Sequence, residues 1–228
     1  MSIKEGWVPV ALSTSIEPGT SAGAVVDGAE IVVWRDDKGK AHVWEDRCPH
    51  RGMRMSFGFV RGDHIACLYH GWAYDTGGQC RYIPAHPDLE VPKTIKIPTY
   101  ATVESDGVIW MAPAEAADEQ AVPPLGVSVP VRSLYADCPV ERAQVVLSGA
   151  SLPFADETRF SAIADGVWTL TAGSVKLAVA AQSVGPSRTA LHILTDEASA
   201  SLKPAIARWA EALRLTLEAP AAVISEVA

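Results

Sequence analysis

Residues 48–72 constrain this chain more than any other stretch of its sequence. The segment reads CPHRGMRMSFGFVRGDHIACLYHGW and contains two of the four cysteines and three of the six histidines. Cys48 and His50 form a C-x-H arm. Cys67 and His70 form a C-x-x-H arm, and sixteen residues lie between the two arms. Thiolate and imidazole groups bind zinc and iron-sulfur clusters, so the four side chains together predict a metal site.

Each of these residue types also has an ordinary alternative role. A single buried cysteine is usually a small apolar residue, and a single histidine is usually a hydrogen-bonded polar group. A structural zinc ion is the competing metal, but its common sites pair cysteine with cysteine on a short turn. Each arm here mixes one cysteine with one histidine. This mixture favours a site with two distinct metal ions.

The two arms resemble the cluster-binding loops of the Rieske family, at 48-CPHRG-52 and 67-CLYHGW-72. In that family two cysteines hold one iron of a [2Fe-2S] cluster and two histidines hold the other iron. The resemblance implies that Cys48 and Cys67 bind the buried iron. His50 and His70 would bind the outer iron. A reduction potential of roughly −150 to +300 mV is also implied, because neutral imidazoles replace two thiolates.

The residues next to the arms indicate a branch of that family. In the quinol-oxidising branch each loop has an additional cysteine, and the two additional cysteines form a disulfide. This chain has Met53 after Gly52 and no cysteine between Cys67 and His70. Two branches then remain, the soluble Rieske ferredoxins and the N-terminal domains of Rieske non-haem iron oxygenases. Residues 6–112 resemble the second of these.

Four further residues of this region carry hypotheses. Trp72 is predicted to be an apolar cover that limits the access of solvent to the cluster, a role compatible with simple core packing. Arg51, Arg54 and Arg61 lie between the arms of a chain whose net charge is −8. They form either a docking face for an acidic electron donor or an ordinary solvated loop.

The whole chain divides into two predicted parts, which makes the expected fold class α+β. Residues 1–115 have short strands and hairpin signals at DDKGK and DTGGQ, and they are predicted to form an all-β Rieske domain. Residues 113–126 combine proline, alanine and acidic residues without apolar periodicity, which indicates a linker. Residues 127–228 are predicted to form a small α+β domain. This second part resembles a shortened helix-grip (START-like) domain of the oxygenases.

The second part contains four predicted strands and two predicted helices. The strands are SVPVRSLYA, GVWTLTAG, VKLAVAAQS and RTALHILTD, and the first helix is centred on PVERAQVVLSG. The final helix is predicted from about Ala198 to Glu218. Its apolar residues recur at spacings of three or four: Leu202, Ile206, Trp209, Leu213 and Leu217. Such a stripe is typical of a helix that packs on a sheet.

The second part lacks the residues for another metal site. A complete Rieske oxygenase also binds a mononuclear iron through two histidines and one carboxylate. From residue 113 onward the chain has one histidine, His192, in a strand pattern. A mononuclear iron is therefore not expected, and His192 is predicted to be a structural or surface residue. Asp156 and Glu157 are assigned no role in linking clusters between subunits.

Composition and charge exclude several other classes of function. A net charge of −8 disfavours nucleic acid, whose phosphates require a basic surface. The sequence has no signal-peptide pattern and no apolar run long enough to span a membrane, so a cytoplasmic protein is expected. Four cysteines in 228 residues are too sparse for a disulfide scaffold. Cys80 and Cys138 match neither arm and are predicted to be buried structural residues.

Together these observations predict a cytoplasmic Rieske [2Fe-2S] electron-transfer protein, a component of a ring-hydroxylating or demethylating oxygenase system. It would lack its own mononuclear iron, and no catalytic residue is identified. The expected partners are a flavin reductase or ferredoxin as donor, an iron-bearing oxygenase subunit as acceptor, and further copies of the chain in a homo-oligomer. Two alternatives stay open: a complete Rieske monooxygenase or dioxygenase-type subunit with an unconventional site, and a non-enzymatic redox-sensing or ligand-binding module.

Overall fold

The computed structural model describes residues 6–113 and 121–220. Within these ranges the chain forms three antiparallel sheets and two α-helices, which confirms the α+β class. The strands of the first half are β1 (Val8–Leu12), β2 (Ser21–Val26), β3 (Ala29–Arg35), β4 (Ala41–Glu45), β5 (Phe59–Arg61), β6 (His64–Ala66), β7 (Ala73–Asp75), β8 (Cys80–Tyr82), β9 (Thr99–Ser105) and β10 (Val108–Ala112). The elements of the second half are β11 (Val129–Ala136), α1 (Val140–Ser148), β12 (Arg159–Ala164), β13 (Val167–Ala172), β14 (Val175–Gly185), β15 (Arg188–Thr195) and α2 (Lys203–Glu218).

The largest sheet has six strands in the order β1-β10-β9-β4-β3-β2. In β3, Ile31 and Val33 point into one hydrophobic core, while Val32 and Trp34 point into another. Successive side chains on a strand point to opposite faces. The uninterrupted apolar run of β3 is therefore explained by burial on both faces of the sheet.

A four-stranded sheet, β5-β6-β7-β8, contains the C-x-x-H arm, which lies between β6 and β7. Ile65 and Tyr74 lie opposite each other on β6 and β7, and both are buried in the core that also contains Trp34. The hairpin predicted at DTGGQ is confirmed between β7 and β8. Gly78 of this turn has a φ of 77°, and a Cβ there would clash with the carbonyl oxygen of Ile97. Because of this close approach, the β7–β8 hairpin packs directly against the segment that precedes β9.

The third sheet has five strands in the order β11-β15-β14-β13-β12 and is covered on one face by α1 and α2. The four predicted strands and both predicted helices are confirmed in type. On α2, Ile206, Leu213 and Leu217 are buried against the sheet and Trp209 is partly buried beside them. Leu202, which directly precedes α2, is also partly buried there. The helix begins at Lys203 and not near Ala198, because a short 3-10 helix over Glu197–Leu202 precedes it.

The first and third sheets share a hydrophobic core. Leu12 and Trp110 from the first sheet pack with Val127, Ala178 and Leu194 from the second half. The linker predicted at residues 113–126 falls partly on residues 114–120, which lie outside the described residues. No helix of the described ranges is both long enough and apolar enough to cross a membrane.

Candidate metal centre

The C-x-H arm forms a closed turn after β4. The backbone N–H of Cys48 donates to the carbonyl oxygen of Met53 at 2.8 Å, and the N–H of Gly52 donates to the carbonyl oxygen of Cys48 at 2.8 Å. Gly52 has a φ of 73°, in the left-handed region that glycine adopts without strain. His50 lies inside this turn.

The C-x-x-H arm connects β6 directly to β7 and repeats the same hydrogen bonds. The N–H of Cys67 donates to the carbonyl oxygen of Trp72 at 2.9 Å, and the N–H of Gly71 donates to the carbonyl oxygen of Cys67 at 2.9 Å. Gly71 has a φ of 69°. The two loops therefore have the same backbone design, although the histidine is the third residue of one loop and the fourth of the other.

The two cysteine side chains meet in the protein interior. Cys48 and Cys67 are 2% and 3% exposed and lie in the same hydrophobic core. Because the two sulfurs interact, the pKa of Cys48 is lowered and, with burial adding to the effect, the pKa of Cys67 is raised. The backbone N–H groups two and three residues after each cysteine also donate to its sulfur. Such donors stabilise negative charge on sulfur.

Tyr74 adds a side-chain hydrogen bond to this pair. Its hydroxyl oxygen lies 3.2 Å from Sγ of Cys48, and the residue is fully buried. Burial and the neighbouring Cys48 sulfur raise the pKa of Tyr74, so its hydroxyl stays protonated at neutral pH. The hydroxyl can therefore donate a hydrogen bond to the Cys48 sulfur when that sulfur is a thiolate. Tyr74 was not among the predicted site residues. Alternation along β7 could have indicated that this side chain faces the core, but not which atom it contacts.

The two histidine side chains lie together on the solvent side of the thiols. The ring centroids of His50 and His70 are 4.6 Å apart, and His50 is half-buried while His70 is exposed. The indole of Trp72 stacks on His50 at 4.2 Å with an angle of 4° between the planes. The ring of Tyr69 lies 4.0 Å from His70. Trp72 thus covers one face of an imidazole, in keeping with its predicted role as a cover.

The four predicted site residues form two pairs, Cys48 with Cys67 and His50 with His70. Within residues 6–113 and 121–220, no three histidine, cysteine, aspartate or glutamate side chains are arranged to hold one metal ion. A structural zinc ion requires four ligands around a single centre. Two metal ions, each held by one pair, fit this arrangement. The N–H donors around the sulfurs fit anionic ligands.

The remaining cysteines are separate from the pair of thiols. Cys80 and Cys138 are both free and buried, as predicted. Cys80 lies in the same hydrophobic core as the two site cysteines, and Cys138 lies in the core between the five-stranded sheet and its helices. Burial raises the pKa of both thiols. Asp156 and Glu157 are exposed in a loop of the second half.

His192 is buried and hydrogen-bonded through both ring nitrogens, so it is structural and does not lie at the surface. Its Nδ1 is 2.7 Å from the hydroxyl oxygen of Ser133, and its Nε2 is 3.2 Å from the side-chain carbonyl oxygen of Gln182. These partners assign the proton to Nε2, because the Gln182 oxygen can only accept. Burial lowers the pKa of His192 to about 4.

Comparison with known proteins identifies the first half of the chain. The family model described as "Rieske [2Fe-2S] domain" matches residues 6–101. Oxidoreductase NdmD of Pseudomonas putida is 39% identical over 105 residues, which cover 46% of this chain and 18% of that protein. Chlorophyllide a oxygenase of Chlamydomonas reinhardtii is 30% identical over 175 residues, which cover 73% of this chain and 26% of that protein. The chain thus spans about a fifth to a quarter of the length of these relatives.

The fold of both halves also occurs in a solved structure. NdmA of Pseudomonas putida CBB5 superposes with a TM-score of 0.77 at 20% identity, covering 98% of this chain and 84% of that chain. This likeness establishes a common fold. A Rieske domain implies a [2Fe-2S] cluster. The N-terminal region of the chain is therefore a Rieske [2Fe-2S] domain, related to the Rieske domains of oxygenases.

Proposed function

We propose that the chain is a one-electron carrier in a ring-hydroxylating or demethylating oxygenase system. Cys48 and Cys67 would hold the inner iron of the cluster, and His50 and His70 would hold the outer iron. The observation that carries this proposal is the pair of buried thiols behind a pair of solvent-facing imidazoles. When bound, the cluster supplies reversible one-electron chemistry.

The surrounding residues would tune the site. The backbone N–H groups of both loops and the hydroxyl of Tyr74 place positive dipoles at the sulfurs. The Trp72 indole excludes water from one face of His50. The exposed position of His70 brings the outer end of the site to the surface, where another protein can approach.

We expect Tyr74→Phe to lower the reduction potential of the cluster by roughly 20–60 mV, since a hydrogen bond to sulfur contributes about 0.5–1.5 kcal/mol and stabilises the more negative, reduced state. The measurement is a redox titration followed by circular dichroism or electron paramagnetic resonance. Tyr82→Phe is the matched control, because that residue is 45% exposed and its side chain lies on the outer face. An unchanged reduction potential in Tyr74→Phe would show that Tyr74 does not tune the cluster.

The second half, proposed as a separate domain over residues 127–228, would not bind a mononuclear iron. Its single histidine, His192, already has hydrogen-bond partners on both nitrogens. Fully buried side chains such as Leu177 and Ile206 fill the space between the sheet and α2. The electron acceptor would then be a separate iron-bearing oxygenase subunit.

The donor in this proposal is a flavin reductase or a ferredoxin. Arg51 and Arg61 are exposed, whereas Arg54 forms an ion pair with Glu30. Among residues 6–113 and 121–220 neither Arg51 nor Arg61 has an ion-pair partner, so both can meet an acidic partner, as the docking hypothesis requires. The proposal places the protein in the cytoplasm, where thiol ligands stay reduced, and includes assembly into a homo-oligomer.

A second candidate function is a complete oxygenase subunit with an unconventional iron or substrate site. Two observations favour it: the sequence match to chlorophyllide a oxygenase covers 73% of the chain, and the fold match to NdmA covers 98%. Substrate-dependent consumption of oxygen, with a reductase as the sole addition, would support this candidate.

The content of iron and acid-labile sulfide per chain tests the proposed function. We expect two irons and two sulfides in anaerobically purified protein, because four ligands hold one [2Fe-2S] cluster. A reproducible third iron would contradict the carrier proposal and favour the oxygenase candidate. Protein reconstituted with zinc alone, without iron or sulfide, is the control for adventitious metal.

A further inference from the structure

The outer face of the four-stranded sheet has aromatic side chains where polar ones are usual. Phe59 pairs with Ala66, Ala66 with Ala73, and Ala73 with Tyr82, so these residues form one row across all four strands. Directly opposite residues point to the same face of a sheet. Phe59 is 52% exposed and Tyr82 is 45% exposed. The two alanines form the floor of a trough, and the two aromatic rings form its walls.

This trough reaches the metal centre. It is a shallow cavity of about 300 Å³ whose lining also includes Cys67, Leu68 and Gly71 of the second loop. Leu68 is 48% exposed and is bonded directly to Cys67. Exposed apolar patches with polar rims mark protein contact sites. A partner in the trough would thus lie against the loop that contains two proposed ligands.

One arginine on the rim of the trough has no acidic partner. Arg61 lines the same cavity and has no ion-pair partner among residues 6–113 and 121–220. The adjacent acid, Asp63, is engaged by Arg81 at 2.8 Å. The unpaired charge of Arg61 therefore favours an acidic partner.

We propose that the trough, with Arg61 on its rim, is the docking surface of the electron donor, a redox protein with an apolar contact beside acidic side chains. This inference rests on the proposed function, because it assigns the donor to that centre. In each encounter the donor loses one electron and the cluster gains it. A small apolar patch with a complementary charge on its rim suits a transient complex that forms by diffusion.

The test is stopped-flow reduction of the oxidised holoprotein by a reduced, acidic plant-type ferredoxin at low ionic strength. We expect Phe59→Ser/Tyr82→Ser to lower the second-order rate constant about tenfold, as for the loss of an interface hot spot. Arg61→Glu should lower it about as much and weaken its salt dependence. Leu215→Ser, which removes a 60% exposed leucine from α2, is the matched control and should stay within about twofold.

Dithionite reduction, iron content and the electron paramagnetic resonance spectrum should be the same in all variants. Equal rates for wild type and the Phe59→Ser/Tyr82→Ser variant, or an equal loss in Leu215→Ser, would overturn the proposal. No reduction of wild type by the ferredoxin would also overturn it. If the wild type is an oligomer and the double variant is a monomer, the trough is a contact between copies of the chain and the proposal is wrong. A wild-type protein without a [2Fe-2S] spectrum would contradict the proposed function itself.

Discussion

Cys67→Ser is expected to remove nearly all iron from the purified protein, whereas Cys138→Ser should retain it. Both residues are buried free cysteines, so both substitutions place a hydroxyl in an apolar environment at a cost of about 1–3 kcal/mol. Only Cys67 lies beside another thiol, within a loop whose N–H groups point at sulfur. Thiolate is the ligand that iron-sulfur clusters require, and a serine hydroxyl stays protonated at neutral pH.

The measurement is iron and sulfide per chain together with the visible absorption spectrum. Cys80→Ser is a second control, because Cys80 lies in the same core as Cys48 and Cys67 but outside both loops. We expect this variant to keep its cluster. Two irons in Cys67→Ser would disprove the ligand assignment, and loss of iron in all three variants would attribute the effect to instability.

The candidate ligands could be predicted because their chemistry is local. The C-x-H and C-x-x-H arms each lie within one turn, and glycine follows where the backbone needs a positive φ, at Gly52 and Gly71. The mixed arms indicated two metal ions, and the resemblance to the Rieske family implied the pairing of cysteine with cysteine and of histidine with histidine. The hairpins at DDKGK and DTGGQ follow from the same kind of local signal.

Contacts between distant segments could not be predicted. The hydrogen bond from Tyr74 to Cys48 spans 26 residues, and the stacking of Trp72 on His50 joins two loops. Strand β2 was missed because its sequence, SAGAVV, is rich in small residues that have low strand propensity. The trough of the four-stranded sheet likewise depends on cross-strand register, which three-residue strands do not reveal.

His192 illustrates a further reason why sequence patterns were insufficient. Alternation along β15 suggests a strand with one polar face, but the five-stranded sheet is buried on both faces. The polar residues on this face therefore bond to one another and across sheets. Gln182 accepts from His192 and donates from its Nε2 to the carbonyl oxygen of Val25 on β2, at 2.6 Å. This network joins the two halves of the chain.

The second large effect is a loss of stability in acid caused by His192. Burial lowers its pKa from 6.5 to about 4. The unfolded chain therefore binds a proton that the folded protein does not bind, and stability falls as the pH drops from about 6.5 towards 4. The free energy lost is about 2 kcal/mol between pH 7.5 and pH 5, and about 3 kcal/mol when the titration is complete.

Thermal unfolding of wild type and His192→Gln at pH 7.5 and pH 5 measures this effect. Glutamine retains a donor and an acceptor but does not titrate, so the melting temperature of the variant should fall by about 4–8 °C less than that of wild type. The pKa of His42 is also lowered by burial, but this group is present in both proteins and cancels in the difference. Equal falls in the melting temperatures of the two proteins would mean that His192 is solvated or protonated in the folded state. The buried hydrogen-bond network between the two halves would then not exist as described.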